Sequence, residues 1–513
     1  MSCPVQRIAS TSEDLRVSDV SPASAPGLSS DSDDVGVASR TLARIGLLAG
    51  PALAAGMIAI GPPDGLGAPA WATVALLALM VVWWVTEAIP VAATSLLPLV
   101  GLPLIAGVKP VEAAAPYADP VIFLFIGGFM LAAAVERWDL HKRFALSLVS
   151  RIGLSPGALL AGWLAAAGLL SMWISNTATA LMLMPIAMGI AGALSRVGSG
   201  NPRMAGALVV AIAYAASIGG VATPVGSPTN LVAMGWLERN GLSLGFLEWM
   251  ALATPLAIVM LLGAWVLLRI DLGRSPAGAD LPAGRAVVQR MLAELGPLSA
   301  PELRVLLVFS ATALAWMLRE PLTTIPELKG LTDMQIAIAG AVALFLVPSG
   351  RKSGEALMDW PRAERIPWGI AVLFGAGLSM AAAMESLGVS AWLAGELWFL
   401  GAWAPVAVLA GIVALTVFLS EFASNTATLT AFLPVVAAVA SATGIAPLYL
   451  VFGAAMGASL AFMMPVGTPP NAIAYATGQV DIKRMIRLGL GLNLLGIGLI
   501  TACIEFIGPM VLR

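Results

Sequence analysis

Ser175-Asn176-Thr177 and Ser424-Asn425-Thr426 are the residues of this chain best equipped for chemistry. Hydroxyls and a carboxamide can donate to an anion and offer oxygens to a hard cation, without the cost of burying a lysine or arginine. Ser171 and Ser420 stand one helical turn before the triplets. Each suits either a ligand role or a hydroxyl bonded back to its own helix. Downstream lie Gly226-Ser227-Pro228-Thr229-Asn230 and Gly467-Thr468-Pro469-Pro470-Asn471. In each, glycine permits close approach and proline removes a backbone donor, leaving carbonyls unpaired. Each triplet with its neighbouring break makes one candidate Na⁺ cage, two in all. A single Ser-Asn-Thr is an ordinary helix cap; duplication with the same flanking breaks favours a binding site.

The triplets sit between apolar arms shorter than the roughly 20 residues a membrane-crossing helix needs. A helix that breaks at mid-depth and turns back would fit. In lipid, broken backbone survives only where protein buries it or where it lines a water-filled cavity. A second half-helix is expected after each triplet, so two helix N-termini would offer free N–H groups and partial positive charge to an anion. Phe125, Gly128, Glu136, Pro156, Gly162, Ser171 and Pro185 recur 249 residues later as Phe374, Gly377, Glu385, Pro405, Gly411, Ser420 and Pro434. Gly226 recurs 241 residues later as Gly467. Colinear matching of polar, proline and glycine positions marks an internal duplication.

The 513 residues are 59% hydrophobic and only 11% charged, with a mean hydropathy of +0.91. A soluble chain of this size cannot hide so much apolar surface, so the lipid bilayer is its solvent. The net charge of −2 argues against a nucleic-acid surface. Cys3 and Cys503 cannot make a disulfide framework or a thiolate metal site. The single His141 excludes a multi-histidine metal site and, within a Lys/Arg cluster, reads as a solvated interface residue. An intramembrane enzyme would need an acid/base pair or an activated nucleophile. No His, Cys or paired Asp lies near either triplet, so the chain is not read as an enzyme. A channel fits less well, because paired hairpins suit alternating access.

The expected fold is an all-α polytopic membrane protein with inverted repeats, about eleven transmembrane helices and two re-entrant helical hairpins. Crossings are expected near 41–61, 70–89, 91–107, 120–137, 204–237, 247–269, 303–319, 333–348, 366–387, 446–480 and 486–511, with hairpins at 155–195 and 403–440. That arrangement puts 22 of the 27 lysines and arginines on one side, which makes that side, and the N-terminus, cytoplasmic and leaves the C-terminus outside. Residues 1–39, rich in Ser, Asp and Pro, read as a disordered cytoplasmic tail. Residues 270–302 read as a polar cytoplasmic linker. Segments 138–152 and 388–400 read as interfacial arms. Glu87, Glu136, Glu385, Glu421 and Glu505 lie in or near apolar runs. Glu136 and Glu385 fall at helix ends, where solvation explains them, whereas Glu421 precedes a triplet and could orient it. Trp83 and Trp84 read as packing residues.

These motifs, with Trp83-Trp84-Val85-Thr86-Glu87-Ala88-Ile89-Pro90, carry a resemblance over roughly residues 70–512. The chain resembles the divalent anion:sodium symporters, which carry dicarboxylates, citrate or sulfate. The resemblance implies a homodimer whose protomers each divide into a scaffold and an elevator-like transport domain. On that plan 40–152 and 303–400 hold scaffold helices with their arms, and 153–269 and 401–513 form the transport domain. The implied substrate contacts are Ser175, Asn176, Thr177, Ser424, Asn425 and Thr426, with Thr468 and Pro469 close by. The implied Na⁺ sites are Ser171, Ser175, Asn176 and Gly226, then Ser420, Ala423, Asn425 and Gly467. The expected activity is Na⁺-coupled import of small C4-dicarboxylates such as succinate, malate or fumarate across the inner (plasma) membrane. Exchange, or symport of citrate or sulfate, stays open, since the family also contains exchangers not driven by Na⁺.

Overall fold

Prolines and capping side chains set where the helices begin. Pro120, Pro156, Pro228, Pro405, Pro447 and Pro469 each open a helix at its first turn, where the missing N–H has no helical partner to lose. Ser299 with Glu302, and Thr332 with Gln335, close reciprocal capping boxes. The computed structural model describes residues 29–153, 155–196, 203–242, 244–273, 282–351 and 354–511.

Among these residues, twenty helices of more than five residues follow one another. In the first half they are α1 (Ser29–Ile60), α2 (Ala68–Thr86), α3 (Leu97–Ile105), α4 (Pro120–Arg137), α5 (Leu140–Ile152), α6 (Pro156–Ser171), α7 (Asn176–Arg196), α8 (Met204–Val221), α9 (Pro228–Arg239) and α10 (Phe246–Leu272). After α11 (Pro282–Leu295), the second half holds α12 (Ala300–Met317), α13 (Asp333–Leu346), α14 (Trp368–Ser386), α15 (Val389–Glu396), α16 (Pro405–Ser420), α17 (Asn425–Thr443), α18 (Pro447–Ser459), α19 (Pro469–Ala476) and α20 (Ile482–Phe506).

Nine helices among the described residues are long and apolar enough to cross a bilayer. Eight coincide with expected crossings; the ninth, Asn425–Thr443, is the second arm of hairpin two. The expected crossings at 91–107, 333–348 and 446–480 are carried instead by shorter helices. A 14-residue helix such as α13 rises only about 21 Å, against roughly 30 Å of hydrocarbon. Hydropathy runs on across Pro90, the Ser95–Leu96 step and the Gly467 break, whereas the helices do not.

The innermost helix is α8, 94% of whose apolar window is buried. It packs against α6, α7, α10 and α19. Gly219 lets its backbone touch that of α6 at Gly168, the close approach that small residues allow between membrane helices. A second apolar cluster, including Met80, Trp84, Leu102 and Met380, ties α2 and α3 to α14. The Trp84 indole donates to Ser95 Oγ at 3.3 Å and that of Trp83 to the Gly46 carbonyl at 3.1 Å, so both tryptophans pack as expected.

Three expectations are corrected here. His141 is only 2% exposed rather than solvated. The neighbouring Arg143 turns away to Glu302 at 2.7 Å and to carbonyls of Leu295, Gly296 and Pro297, so its guanidinium is covered, while Lys142 stays partly exposed and pairs with Asp139. Burial holds the His141 pKa below the ordinary imidazole value. The stretch 270–302 is no plain connector, because α11 packs against α5 and α7; residues 274–281 lie outside the described residues. Residues 1–28 of the expected tail also lie outside them, but α1 begins at Ser29, so 29–39 are helical. The arms at 138–152 and 388–400 become α5 and α15, the latter followed by a short 3₁₀ helix, Trp398–Ala402.

Candidate anion and cation site

Hairpin one consists of α6 and α7, hairpin two of α16 and α17. Both second arms start on the asparagine of the triplet itself, two residues earlier than expected. Ser175 therefore becomes a cap, its Oγ accepting the Ala178 N–H at 3.2 Å, while Ser424 makes no side-chain cap bond. α7 packs against α8 of its own half and α19 of the other; α17 packs against α18 and α9. Each triplet's helix thus lies on the broken helix of both repeats.

The first candidate cage is closely knit. Ser171 Oγ donates to Asn176 Oδ1 at 2.7 Å, and the Asn176 carboxamide lies directly on Gly220. Thr223 Oγ1 donates to the Met172 carbonyl and accepts from Gly226 N–H at 3.2 Å. Around Gly226 three carbonyl oxygens converge. A methyl on its Cα would meet the Gly220 oxygen at 2.6 Å and those of Met172 and Ser171 at 2.9 Å. Only glycine lets these backbone oxygens close in, and a cluster of carbonyl oxygens beside Asn176 is the donor set a small hard cation takes. Ser171, Asn176 and Gly226 are therefore brought together, and Ser175 sits at the turn between them.

The second cage is built differently. Ser420 bonds back to the Thr416 carbonyl at 2.6 Å, the helix-serine alternative. Gly467 faces Glu421 rather than a ring of carbonyls: a methyl there would lie 3.2 Å from Glu421 Oε2 and 3.3 Å from its carbonyl oxygen. Ala423 is buried between them in sequence, and Ser424 is exposed. Asn425 Oδ1 is a buried acceptor that no described residue satisfies. Thr426 is buried, Thr468 Oγ1 accepts from Asn471 N–H at 3.3 Å, and Pro469 is exposed at the head of α19.

Sequence reasoning passed over how the breaks are held. Asn230 Nδ2 donates to the carbonyls of Gly220 at 2.8 Å and Thr223 at 2.7 Å. Its mate Asn471 donates to Ala461 at 3.1 Å and Met464 at 3.2 Å. Every one of these positions is related by the same 241-residue offset, so the two breaks are stapled alike. The Oγ1 atoms of Thr179 and Thr428, 249 residues apart, are buried without a partner among the described residues. Such groups are costly unless something hydrogen-bonds to them, and both lie inside the repeated motif, where the sequence could have marked them.

The two hairpin tips differ in cover. Trp173 stacks with Phe246 at 6.1 Å and Trp316 at 6.5 Å between ring centroids, and meets Phe309 edge-on at 5.3 Å. Its repeat mate Phe422 is 65% exposed.

Residues 43–512 match the family model described as the sodium:sulfate symporter transmembrane region. The sodium-dependent dicarboxylate transporter SdcS of Staphylococcus saprophyticus is 38% identical over 480 residues, 91% of this chain and 92% of that protein. SdcS of Staphylococcus aureus is 37% identical over the same shares. In fold, the chain is similar to the YdaH transporter of Alcanivorax borkumensis, with a TM-score of 0.57 and 18% identity over 86% of this chain and 99% of that one. It is also similar to MtrF of Neisseria gonorrhoeae, with a TM-score of 0.56 and 15% identity over 86% of this chain and 95% of that one. A match of that extent, joined to an all-helical fold with two broken hairpins, settles the lineage: this chain is a multi-pass membrane protein that belongs to the sodium:sulfate symporter family.

Proposed function

We propose that this protein is a secondary transporter that couples Na⁺ to the import of C4-dicarboxylates such as succinate, malate or fumarate across the plasma membrane. The observation that carries the reading is the Gly226 cradle of carbonyl oxygens beside Asn176, in a chain whose relatives are named sodium-dependent dicarboxylate transporters. The substrate contacts are Ser175, Asn176, Thr177, Ser424, Asn425 and Thr426, with Thr468 and Pro469 nearby. The Na⁺ contacts are Ser171, Ser175, Asn176 and Gly226 in one cage, and Ser420, Ala423, Asn425 and Gly467 in the other.

Neither triplet contains a lysine or arginine. Helix N-termini supply only partial charge to a dianion, so bound cations offset the remainder. Two Na⁺ balance the charge of the dianion, and Na⁺ and dicarboxylate each tighten the other by the same factor. The unequal tips support alternating access: Trp173 is enclosed by aromatics of α10 and α12 while Phe422 stands open. In the opposite state of an inverted repeat those roles exchange, with the hairpins riding as an elevator against the scaffold of a homodimer.

The test is uptake of radiolabelled succinate into proteoliposomes holding the purified full chain. An inward Na⁺ gradient should drive accumulation, and choline in place of Na⁺ should eliminate it. Persistence in choline, with a requirement for dicarboxylate inside, would replace symport by exchange. The family description names sulfate, a dianion the same donors accept; inhibition of succinate uptake by excess sulfate would widen the substrate class.

Orientation is tested separately, in a background free of Cys3 and Cys503. A cysteine in the 270–302 segment should be labelled only from the cytoplasm, and one near Gly241 only from outside. Reversal of either result defeats the inverted arrangement.

A further inference from the structure

Glu421 is the residue that breaks the equivalence of the two repeats. It is 1% exposed, and no lysine or arginine pairs with it among the described residues. Instead its Oε1 accepts from the Phe462 N–H at 2.7 Å and the Met463 N–H at 2.9 Å. Its Oε2 accepts from Met463 at 3.0 Å and Met464 at 2.8 Å. Asn493 Nδ2, on α20, adds a bond to Oε1 at 2.7 Å. Three consecutive backbone amides around one carboxylate form an anion nest.

The first repeat has no counterpart. The position matching Glu421 is Met172, whose contribution is a carbonyl that accepts from Thr223 Oγ1. There α8 continues to Val221, whose repeat mate is Phe462, but α18 stops three residues short, at Ser459. The amide at the place where α8 ends, that of Phe462, goes to Glu421, together with those of Met463 and Met464, which match Ala222 and Thr223 beyond the end of α8. In a continuous helix the Phe462 amide would bond the Ala458 carbonyl four residues back. A carboxylate that outcompetes that carbonyl helps end the helix early.

We infer that Glu421 is a positioning residue that holds the second break unwound, and that its unpaired charge beside Gly467 makes the second cage dominate the cation dependence of transport. The first cage is lined by neutral carbonyls, whereas the second has a full negative charge packed directly against Gly467. This inference rests on the Na⁺-coupled reading above.

Two measurements on the purified full chain test it: Na⁺ dependence of succinate uptake, and the shift in thermal unfolding midpoint produced by Na⁺ over choline. Glu421→Gln keeps the shape but removes the charge and turns one acceptor oxygen into an NH2 donor facing the nest amides. It should raise half-saturating Na⁺ about tenfold, the factor that ~1.4 kcal/mol represents, should shrink the thermal shift, and should lower the maximal rate less than Glu421→Ala does. Glu421→Asp, which keeps the charge, should recover most of both; Glu421→Ala, which removes all acceptors, should also lose maximal rate. Gln within twofold of wild type, or Asp no better than Gln, overturns the inference. If the Gln variant does not fold, Asn493→Ala decides: it weakens the nest and should raise half-saturating Na⁺ severalfold, and no change counts against the role. If wild-type uptake ignores Na⁺, the functional reading fails and the thermal shift alone judges Glu421; absence of a Na⁺ shift in wild type then overturns this inference too.

Discussion

Asn176→Ala and Asn425→Ala should each reduce Na⁺-driven succinate uptake by about 10- to 150-fold, while the purified protein keeps its elution profile. The estimate comes from losing a charge-assisted hydrogen bond, worth about 1.5–3 kcal/mol, at about 1.4 kcal/mol per factor of ten. The two positions lose activity for different local reasons. Asn176 accepts from Ser171 at 2.7 Å and rests on Gly220, so its removal also loosens the first cage. Asn425 has a buried Oδ1 with no described partner, so alanine relieves an unsatisfied group and should be the better-folded variant. Uptake in proteoliposomes with matched protein content is the measurement. If both variants retain more than half of wild-type uptake, the triplets are caps and the site lies elsewhere.

The parts of this site legible in sequence are those where breaking a helix in lipid demands a special residue. Gly226 and Gly467, the prolines that follow them and the paired triplets announced themselves because each repeats. The triplet-bearing arms were placed correctly in outline, and only the start of α7 and α17 moved, onto Asn176 and Asn425. What stayed hidden depends on contacts distant in sequence. The amides on Glu421 lie 41 to 43 residues away, and Asn493 lies 72 away. Its repeat mate Met172 gives no hint of a nest. His141 misled because a basic cluster on a sequence looks solvated, whereas Arg143 spends its donors on Glu302 and the carbonyls after α11. Trp173 and Phe422 are both large and apolar; only packing distinguishes the enclosed ring from the open one.

Gly226→Ala should abolish uptake, with residual rates below about one-hundredth of wild type, whereas Gly467→Ala should leave a measurable fraction. At Gly226 the new methyl would lie 2.6–2.9 Å from the carbonyl oxygens of Gly220, Met172 and Ser171. All three belong to backbone, and two are fixed by their place at the tip of hairpin one. Thr223, which bonds the Met172 carbonyl, and Asn230, which bonds that of Gly220, hold the ring still. Overpacking of a well-packed site costs about 1–3 kcal/mol. A methyl there also forces the three oxygens apart, and with them the donor set that would hold a cation. At Gly467 the nearest atoms are 3.2–3.3 Å away and belong to Glu421, a tight contact that a few tenths of an ångström relieve. Comparing the Na⁺-induced thermal shift of the two variants separates blockage from misfolding. A Gly226→Ala protein that transports normally would remove the cradle as a cation site, because the methyl cannot enter without displacing the oxygens that would hold the cation.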